Sequence, residues 1–239
     1  MAKPLHEWWR HAAGENYWLE ITDRSDIGAD LKAPQLQDDG TEFWGYSLVT
    51  RTNHGDVVFH YNKRVHAITA WSLIAGGWWE DEIVWAAHGT SARGTNTKPY
   101  PRPGWKVGLT DYQVLADPLP LDDIVLRVDE VLEVESTLRA TFGLPLYLAF
   151  SRYGAGLRPQ QGYLAKLPQA IVAMFPQLAE AEKRAVAISE SLPTQISHNR
   201  KVGTAYREAD ENVAVSDRDP MFPDPALIEG NYSGRRVGN

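Results

Sequence analysis

Hydrophobic and polar positions alternate with a period of two from residue 16 to about residue 115, and clusters of turn-forming residues interrupt the alternation. The runs are rich in aromatic and β-branched residues. They predict six strands, at Asn16 to Thr22, Gly45 to Thr50, Asp56 to Tyr61, His66 to Leu73, Ile83 to Ala87 and Trp105 to Leu115. A short helix is predicted from Asp26 to Gln37. Because no long helices alternate with these strands, a small barrel or a strongly bent sheet is favoured over a doubly wound fold.

The character of the chain changes after Pro118. Apolar residues at helical spacing predict an amphipathic helix from Leu121 to Phe142, and a second helix from Pro168 to Ser191 that Pro176 should kink or split. A short buried strand or extended run is expected from Gly143 to Phe150. From residue 192 onward the sequence is polar and is interpreted as a tail. The predicted organisation is therefore a β-rich domain over 1–120, a helical extension over 121–191 and a tail over 192–239, which is an α+β chain.

Charge and composition exclude several classes of function. A net charge of −7 argues against a protein that coats nucleic acid or an anionic membrane without specificity. Residues 86–110 are an exception, since they carry four cationic residues and no acidic one. These are Arg93, Lys98, Arg102 and Lys106. By composition alone, this stretch fits a solvated loop and a phosphate-binding loop equally well.

The usual signatures of catalysis and cofactor binding do not occur in the sequence. The chain has no cysteine, which excludes disulfides, thiol nucleophiles and iron–sulfur ligation. It has no phosphate-cradling glycine loop, nucleophile elbow or dinucleotide fingerprint. The spacing of His54, His60 and His66 does not support a metal site. No catalytic residue, metal or cofactor is therefore predicted, and the absence of an apolar span or signal core suggests a cytoplasmic protein without a membrane partner.

Aromatic residues give the most specific signal. Eight of the nine tryptophans precede residue 86, and several adjoin turn-forming residues, where their rings would lie near solvent. A loop-borne indole can stack on a base, a sugar or a cation, whereas the alternative is that most of these rings fill a small β core. The ends of the predicted strands would bring the tryptophans close to the Asp23 to Asp26 segment. A carboxylate such as Asp26 would then accept a hydrogen bond from the exocyclic amine of a flipped cytosine or adenine.

Three segments carry a resemblance to a known family: Asn16 to Leu19 (NYWL), Gly55 to Tyr61 (GDVVFHY) and Ala67 to Ser72 (AITAWS). In this order, they resemble the EVE-type PUA-like domains and, more distantly, the YTH readers, over residues 16 to about 120. The resemblance implies a PUA-like bent β-barrel of five or six strands with flanking helices. It also implies an aromatic cage for one modified base, which maps here onto Trp44 and onto Trp78 or Trp79.

The sequence and the resemblance together suggest a DNA-binding protein that flips a modified base, with 5-methylcytosine the first candidate, into an aromatic pocket. The residues expected to form the pocket are Trp18, Asp26, Trp44, Tyr46, Trp71, Ser72, Trp78 and Trp79, and the four cations of residues 86–110 are expected to hold phosphates. Alternatives are an RNA methyladenine reader and a carbohydrate-binding module.

Similar modules often precede the nuclease of modification-dependent restriction enzymes, and Asp224 to Asn231 resembles the entry to such a region. The chain is therefore expected to be a reader without its own nuclease, or the targeting half of such an enzyme with a nuclease partner.

Overall fold

The computed structural model describes residues 5–85 and 99–191, with side chains up to Ile188. The main sheet contains β1 (Tyr17–Thr22), β2 (Asp30–Pro34), β3 (Val57–Asn62), β4 (Ala67–Ile74), β5 (Trp79–Trp85), β6 (Tyr100–Pro120) and β9 (Leu164–Lys166). The strand order is β2-β6-β4-β3-β1-β9, and β5 pairs with β6. Only β1 and β3 are parallel among these pairs of described strands. A separate hairpin contains β7 (Phe150–Tyr153) and β8 (Gly156–Pro159).

The long strand β6 bends the sheet. Its first half, from Tyr100 to Gly108, pairs with β5 and β2, and its second half, from Leu109 to Pro120, pairs with β4. Two register shifts in the β4–β6 pairing increase the local twist. The result is a curled half-barrel with flanking helices, so the predicted α+β class and the strongly bent sheet are confirmed.

The predicted helix from Leu121 to Phe142 is two helices, α2 (Leu121–Val125) and α3 (Val128–Phe142), whose outer limits match the prediction. The predicted second helix is α4 (Gln169–Met174) and α5 (Pro176–Ser191). The predicted split at Pro176 is confirmed, because proline cannot donate the hydrogen bond that would continue α4 into α5. No helix among the described residues is long and apolar enough to cross a membrane.

Two predicted elements are wrong. The predicted strand from Gly45 to Thr50 is helix α1 (Trp44–Ser47), followed by a 3-10 turn at Leu48–Arg51. Leu48 and Val49 are adjacent and both fully buried, which a strand with one buried face does not allow. The predicted helix from Asp26 to Gln37 is instead a turn followed by β2. Leu31 and Ala33, two residues apart, are both fully buried, which is the periodicity of a strand.

The core includes residues from both sides of residue 120. Trp8, Trp9, Trp18 and Val58 pack in one cluster with Leu164 of β9. Strand β9 also pairs with β1 through Trp18, Leu19 and Glu20. The segment after residue 121 therefore supplies a strand and core residues to the sheet in addition to its helices.

Candidate functional site

An arginine anchors the loop that follows β1. All five N–H groups of Arg24 are used: Nε and Nη2 donate to the two carboxylate oxygens of Asp26, each at 2.8 Å, and Nη2 also donates to Asp30 Oδ1 at 2.6 Å. Nη1 donates to the Asp30 carbonyl and to the Tyr163 hydroxyl. The hydrogen bonds from Arg24 hold the pKa of Asp26 well below its usual value. The Asp26 side chain is therefore ionised at neutral pH and fixed in orientation, yet it remains 44% exposed.

Cross-strand register places two lysines and a tryptophan in one row beside this loop. Lys32 of β2 is opposite Lys106 of β6, which is opposite Trp79 of β5. The Lys106 ammonium lies 3.4 Å from Asp30, 3.5 Å from Asp81 and 5.9 Å from the centre of the Trp79 ring.

The Lys32 ammonium lies 3.6 Å from Asp26, which joins this row to the loop. We call the seven residues Arg24, Asp26, Asp30, Lys32, Trp79, Asp81 and Lys106 the charged patch. Its three cations and three carboxylates balance. The patch therefore offers hydrogen-bond donors, acceptors and one exposed aromatic ring without a strong net field.

An aromatic row adjoins the charged patch through Tyr163. The ring centres of Tyr46 and Trp85 are 5.6 Å apart, and those of Trp85 and Tyr163 are 5.2 Å apart. The rings are nearly perpendicular in both pairs. Burial raises the pKa of Tyr46. Burial and the neighbouring Glu20 carboxylate raise the pKa of Tyr163 well above 10, so that its hydroxyl stays protonated at neutral pH.

Three residues expected in the pocket lie in the core. Trp18 is fully buried, with its indole N–H donating to Asp56 at 2.7 Å and the Lys166 ammonium 4.3 Å from its ring centre. Trp71 is 2% exposed and Ser72 is fully buried. These side chains line no accessible surface, because both faces of the sheet are covered where they lie. The alternation of hydrophobic and polar residues in β1 and β4 could not reveal this burial. The three residues are therefore core residues and not the pocket residues that the sequence predicted.

Trp44 lines a different surface from the charged patch. The ring centres of Trp44 and Tyr147 are 5.1 Å apart. Both side chains line an open groove with a volume of about 1040 Å³. Among the described residues, no ring contact joins Trp44 to Trp78 or Trp79, and the cage expected from these residues stays a prediction. Trp78 is 47% exposed and Trp79 is 39% exposed. Of the predicted pocket residues, Asp26 and Trp79 lie in the charged patch and Tyr46 lies in the adjoining aromatic row.

The predicted phosphate contacts divide into two groups. Arg93 and Lys98 lie outside the described residues. Arg102 pairs with Asp38 at 2.8 Å and lies over the Tyr100 ring, while Lys106 belongs to the charged patch. Both described cations therefore have carboxylate partners that a phosphate would have to displace.

The predicted pocket and phosphate residues omit four members of this site and two of its aromatic neighbours: Arg24, Asp30, Lys32, Asp81, Trp85 and Tyr163. The alternation of polar Asp30 and Lys32 with apolar Leu31 and Ala33 was a signal for β2 and hence for the patch. Tyr163 had no such signal, because it reaches the site only through the pairing of β9 with β1. Within residues 5–85 and 99–191, no three His, Asp or Glu side chains are arranged to hold a metal ion.

Comparison with solved structures found chains that are similar in structure. The chain is similar to the N-terminal domain of Staphylothermus marinus McrB, at 12% sequence identity and a TM-score of 0.34, over 73% of this chain and 94% of that chain. No protein-family model matches the sequence, and no curated protein matches it.

Proposed function

We propose that the chain binds DNA containing a modified base, with 5-methylcytosine the first candidate, and that the flipped base binds at the charged patch. The single observation that supports this proposal is the placement of an exposed, oriented carboxylate, Asp26, in one cluster with Lys106 and the exposed ring of Trp79. On this proposal the chain is a reader, and cleavage of the DNA is left to a nuclease partner.

Asp26 has the properties needed to bind an exocyclic amine. A carboxylate has about four lone-pair directions, and Arg24 occupies two of them. Because the pKa of Asp26 is lowered, the free directions belong to an anion that accepts strongly. The exocyclic amine of cytosine can therefore bind Asp26 without displacing Arg24.

Trp79 supplies a stacking surface beside this carboxylate. Stacking of a base on an aromatic side chain contributes about 1 to 3 kcal/mol and offsets part of the cost of flipping. Lys106, on the neighbouring strand, can donate to a ring acceptor of the same base or to its phosphate. The base would thus meet an acceptor, a donor and an aromatic face in one place.

A binding panel tests the proposal. Fluorescence anisotropy would measure the affinity for otherwise identical duplexes carrying cytosine, 5-methylcytosine, 5-hydroxymethylcytosine or N6-methyladenine, and for single-stranded RNA with N6-methyladenine. One buried methyl group contributes about 0.8 kcal/mol, so we expect the 5-methylcytosine duplex to bind about fourfold more tightly than the unmodified one. Equal affinity for all duplexes would overturn the modified-base proposal, and tighter binding of the RNA would replace it with an RNA reader.

Two matched pairs of variants locate the site. Trp79→Ala should weaken binding to the modified duplex by about 1 to 3 kcal/mol, whereas Trp78→Ala, at the adjacent and more exposed ring, should have little effect. Asp26→Asn should weaken binding to the modified duplex, because its amide can accept through only one oxygen. Glu82→Gln, at an exposed position of β5, removes the same charge and should leave that affinity intact. Equal effects within either pair would exclude the charged patch as the base site.

A further inference from the structure

A continuous chain of hydrogen bonds links the interior of the sheet to the charged patch. His60 lies between Ser72, with Nε2 at 2.8 Å from Oγ, and Glu20, with Nδ1 at 2.6 Å from Oε2. The Tyr163 hydroxyl donates to Glu20 Oε1 at 2.5 Å and accepts from Arg24 Nη1 at 3.1 Å. Arg24 in turn holds Asp26. Five side chains therefore connect the core to the exposed carboxylate.

The hydroxyl of Tyr163 has only one consistent arrangement in this chain. Arg24 and the backbone N–H of Lys32 can only donate to it, so its proton points at Glu20 Oε1, and with Glu20 Oε2 as the acceptor, His60 donates from Nδ1. The Tyr163 oxygen then accepts from Arg24 and from the backbone N–H of Lys32, at 3.2 Å. No alternative rotation of the Tyr163 hydroxyl satisfies these partners. The position of Arg24 is thus set before any nucleic acid binds.

The order Ser72, His60, Glu20 is also that of a hydrolytic triad, but its burial excludes that role. Ser72, His60 and Glu20 are each fully buried. A nucleophile must be within reach of a substrate carbonyl, and no route to Ser72 exists in this packing. The three groups must therefore act on other protein groups.

These three buried residues are connected to the surface residue Asp26 by way of Tyr163 and Arg24. Because all five N–H groups of Arg24 are used, a shift of the Tyr163 hydroxyl would break one of the hydrogen bonds that hold the Arg24 guanidinium beside Asp26. Glu20 also acts on Arg24 directly, since its Oε1 lies 3.7 Å from Nη1. Lys32 adds charge to Asp26 at 3.6 Å but gives it no defined orientation. The buried chain and Asp30, which accepts two of the five Arg24 bonds, therefore set the orientation of Asp26 together.

We propose that Glu20 is a positioning residue, which fixes Asp26 for base recognition by acting through Tyr163 and Arg24. This inference rests on the proposed function. Glu20 supplies the acceptor that orients the Tyr163 hydroxyl, and His60, whose other ring nitrogen is held by Ser72, satisfies the second oxygen of Glu20. The exposed carboxylate of Asp26 is thereby preorganised, so that binding loses less conformational entropy.

The first test needs no nucleic acid. In ¹⁵N spectra, we expect His60 to carry its proton on Nδ1, and Glu20→Gln to move it to Nε2, because the glutamine amide must donate to Nδ1 while its carbonyl still accepts from Tyr163. We also expect the Arg24 Nε–H to exchange slowly with solvent in the native protein and faster in Tyr163→Phe. An unchanged His60 tautomer or unchanged Arg24 exchange would overturn the inference even if the protein binds no DNA.

The second test measures affinity for the modified duplex in folded protein. Glu20→Leu, which has no acceptor for Tyr163, and Tyr163→Phe should each weaken modified-duplex binding about tenfold. Glu20→Gln, which keeps that acceptor, should retain binding within about threefold. Ser72→Ala should retain it because the Glu20–Tyr163–Arg24 connection remains.

Val131→Ala controls for lost stability, since Val131 is a buried residue of α3 outside the chain of hydrogen bonds. If Glu20→Leu fails to fold, Tyr163→Phe decides the question alone. Native affinity for the modified duplex in folded Tyr163→Phe would overturn the inference. An equal loss in Val131→Ala would assign the effect to stability and also overturn it. Failure of the native protein to bind any duplex would instead count against the proposed function, which the ¹⁵N experiment does not require.

Discussion

The buried Lys166 provides a quantitative test of how β9 is packed. Its ammonium group is fully buried, donates to the Glu15 carbonyl at 2.8 Å and lies 4.3 Å from the Trp18 ring centre. Burial lowers the pKa of Lys166 to about 8, although the charges of Asp56 and Glu15 oppose part of the shift. The charged form is therefore less favourable in the folded protein than in the unfolded chain.

The sign of the pH dependence follows from this difference. Between pH 8 and 10.5, the unfolded chain keeps a proton that the folded protein has lost, so the free energy of unfolding rises with pH. From pH 7.5 to 9, we expect the free energy of unfolding to rise by about 1 kcal/mol, because a difference of one pKa unit between the folded and unfolded states corresponds to about 1.36 kcal/mol. The measurement stops at pH 9 because tyrosines act in the opposite direction at higher pH. Near pH 10 the tyrosines of the unfolded chain lose their protons, whereas Tyr17 and Tyr61 of the folded protein, whose pKa is raised, keep them, and the free energy of unfolding then falls.

Urea unfolding followed by tryptophan fluorescence at pH 7.5, 8, 8.5 and 9 would measure this rise. Lys166→Met keeps a similar volume and should abolish the pH-dependent rise, whatever its effect on absolute stability. Lys183→Met removes the same charge from an exposed position of α5 and should retain the rise. A flat native profile, or a rise that survives in Lys166→Met, would refute the placement of Lys166 between Trp18 and Asp56.

Three further predictions address the loop after β1, the DNA contacts and the chemistry. Gly28→Ala should destabilise the protein by about 1 to 3 kcal/mol more than Gly40→Ala in thermal unfolding. Both glycines have positive φ. A Cβ at Gly28 would lie 2.1 Å from the Tyr112 ring, whereas a Cβ at Gly40 would have no described atom beyond its chain neighbours within 4 Å. If the four cations of residues 86–110 contact phosphates, log affinity for duplex DNA should fall with log salt at a slope of about −4, and a flat response would remove the nucleic-acid proposal. Prolonged incubation of methylated plasmid with Mg²⁺ or Mn²⁺ should leave it intact, and reproducible nicking would show that the chain is a nuclease itself.

The sequence by itself determined the elements whose pattern is local. The alternation of hydrophobic and polar residues located β1, β3 and β4, and Pro176 marked the end of a helix because proline lacks the N–H that would continue it. The predictions from local pattern were wrong at Gly45 to Thr50 and at Asp26 to Gln37, because such short segments fit both a helical and a strand periodicity. There, packing of Leu48, Val49 and Leu31 against the core selected the structure.

Only the tertiary structure decided which aromatic and charged residues share a surface. Trp18 and Trp79 look alike in the sequence, yet pairing of β1 with both β3 and β9 buries Trp18, while the edge position of β5 leaves Trp79 exposed. The charged patch arises from the register of β2, β6 and β5, and its link to Glu20 requires Tyr163, which is 143 residues away along the chain. Long-range strand pairing sets these contacts, and no local periodicity encodes which strands become neighbours.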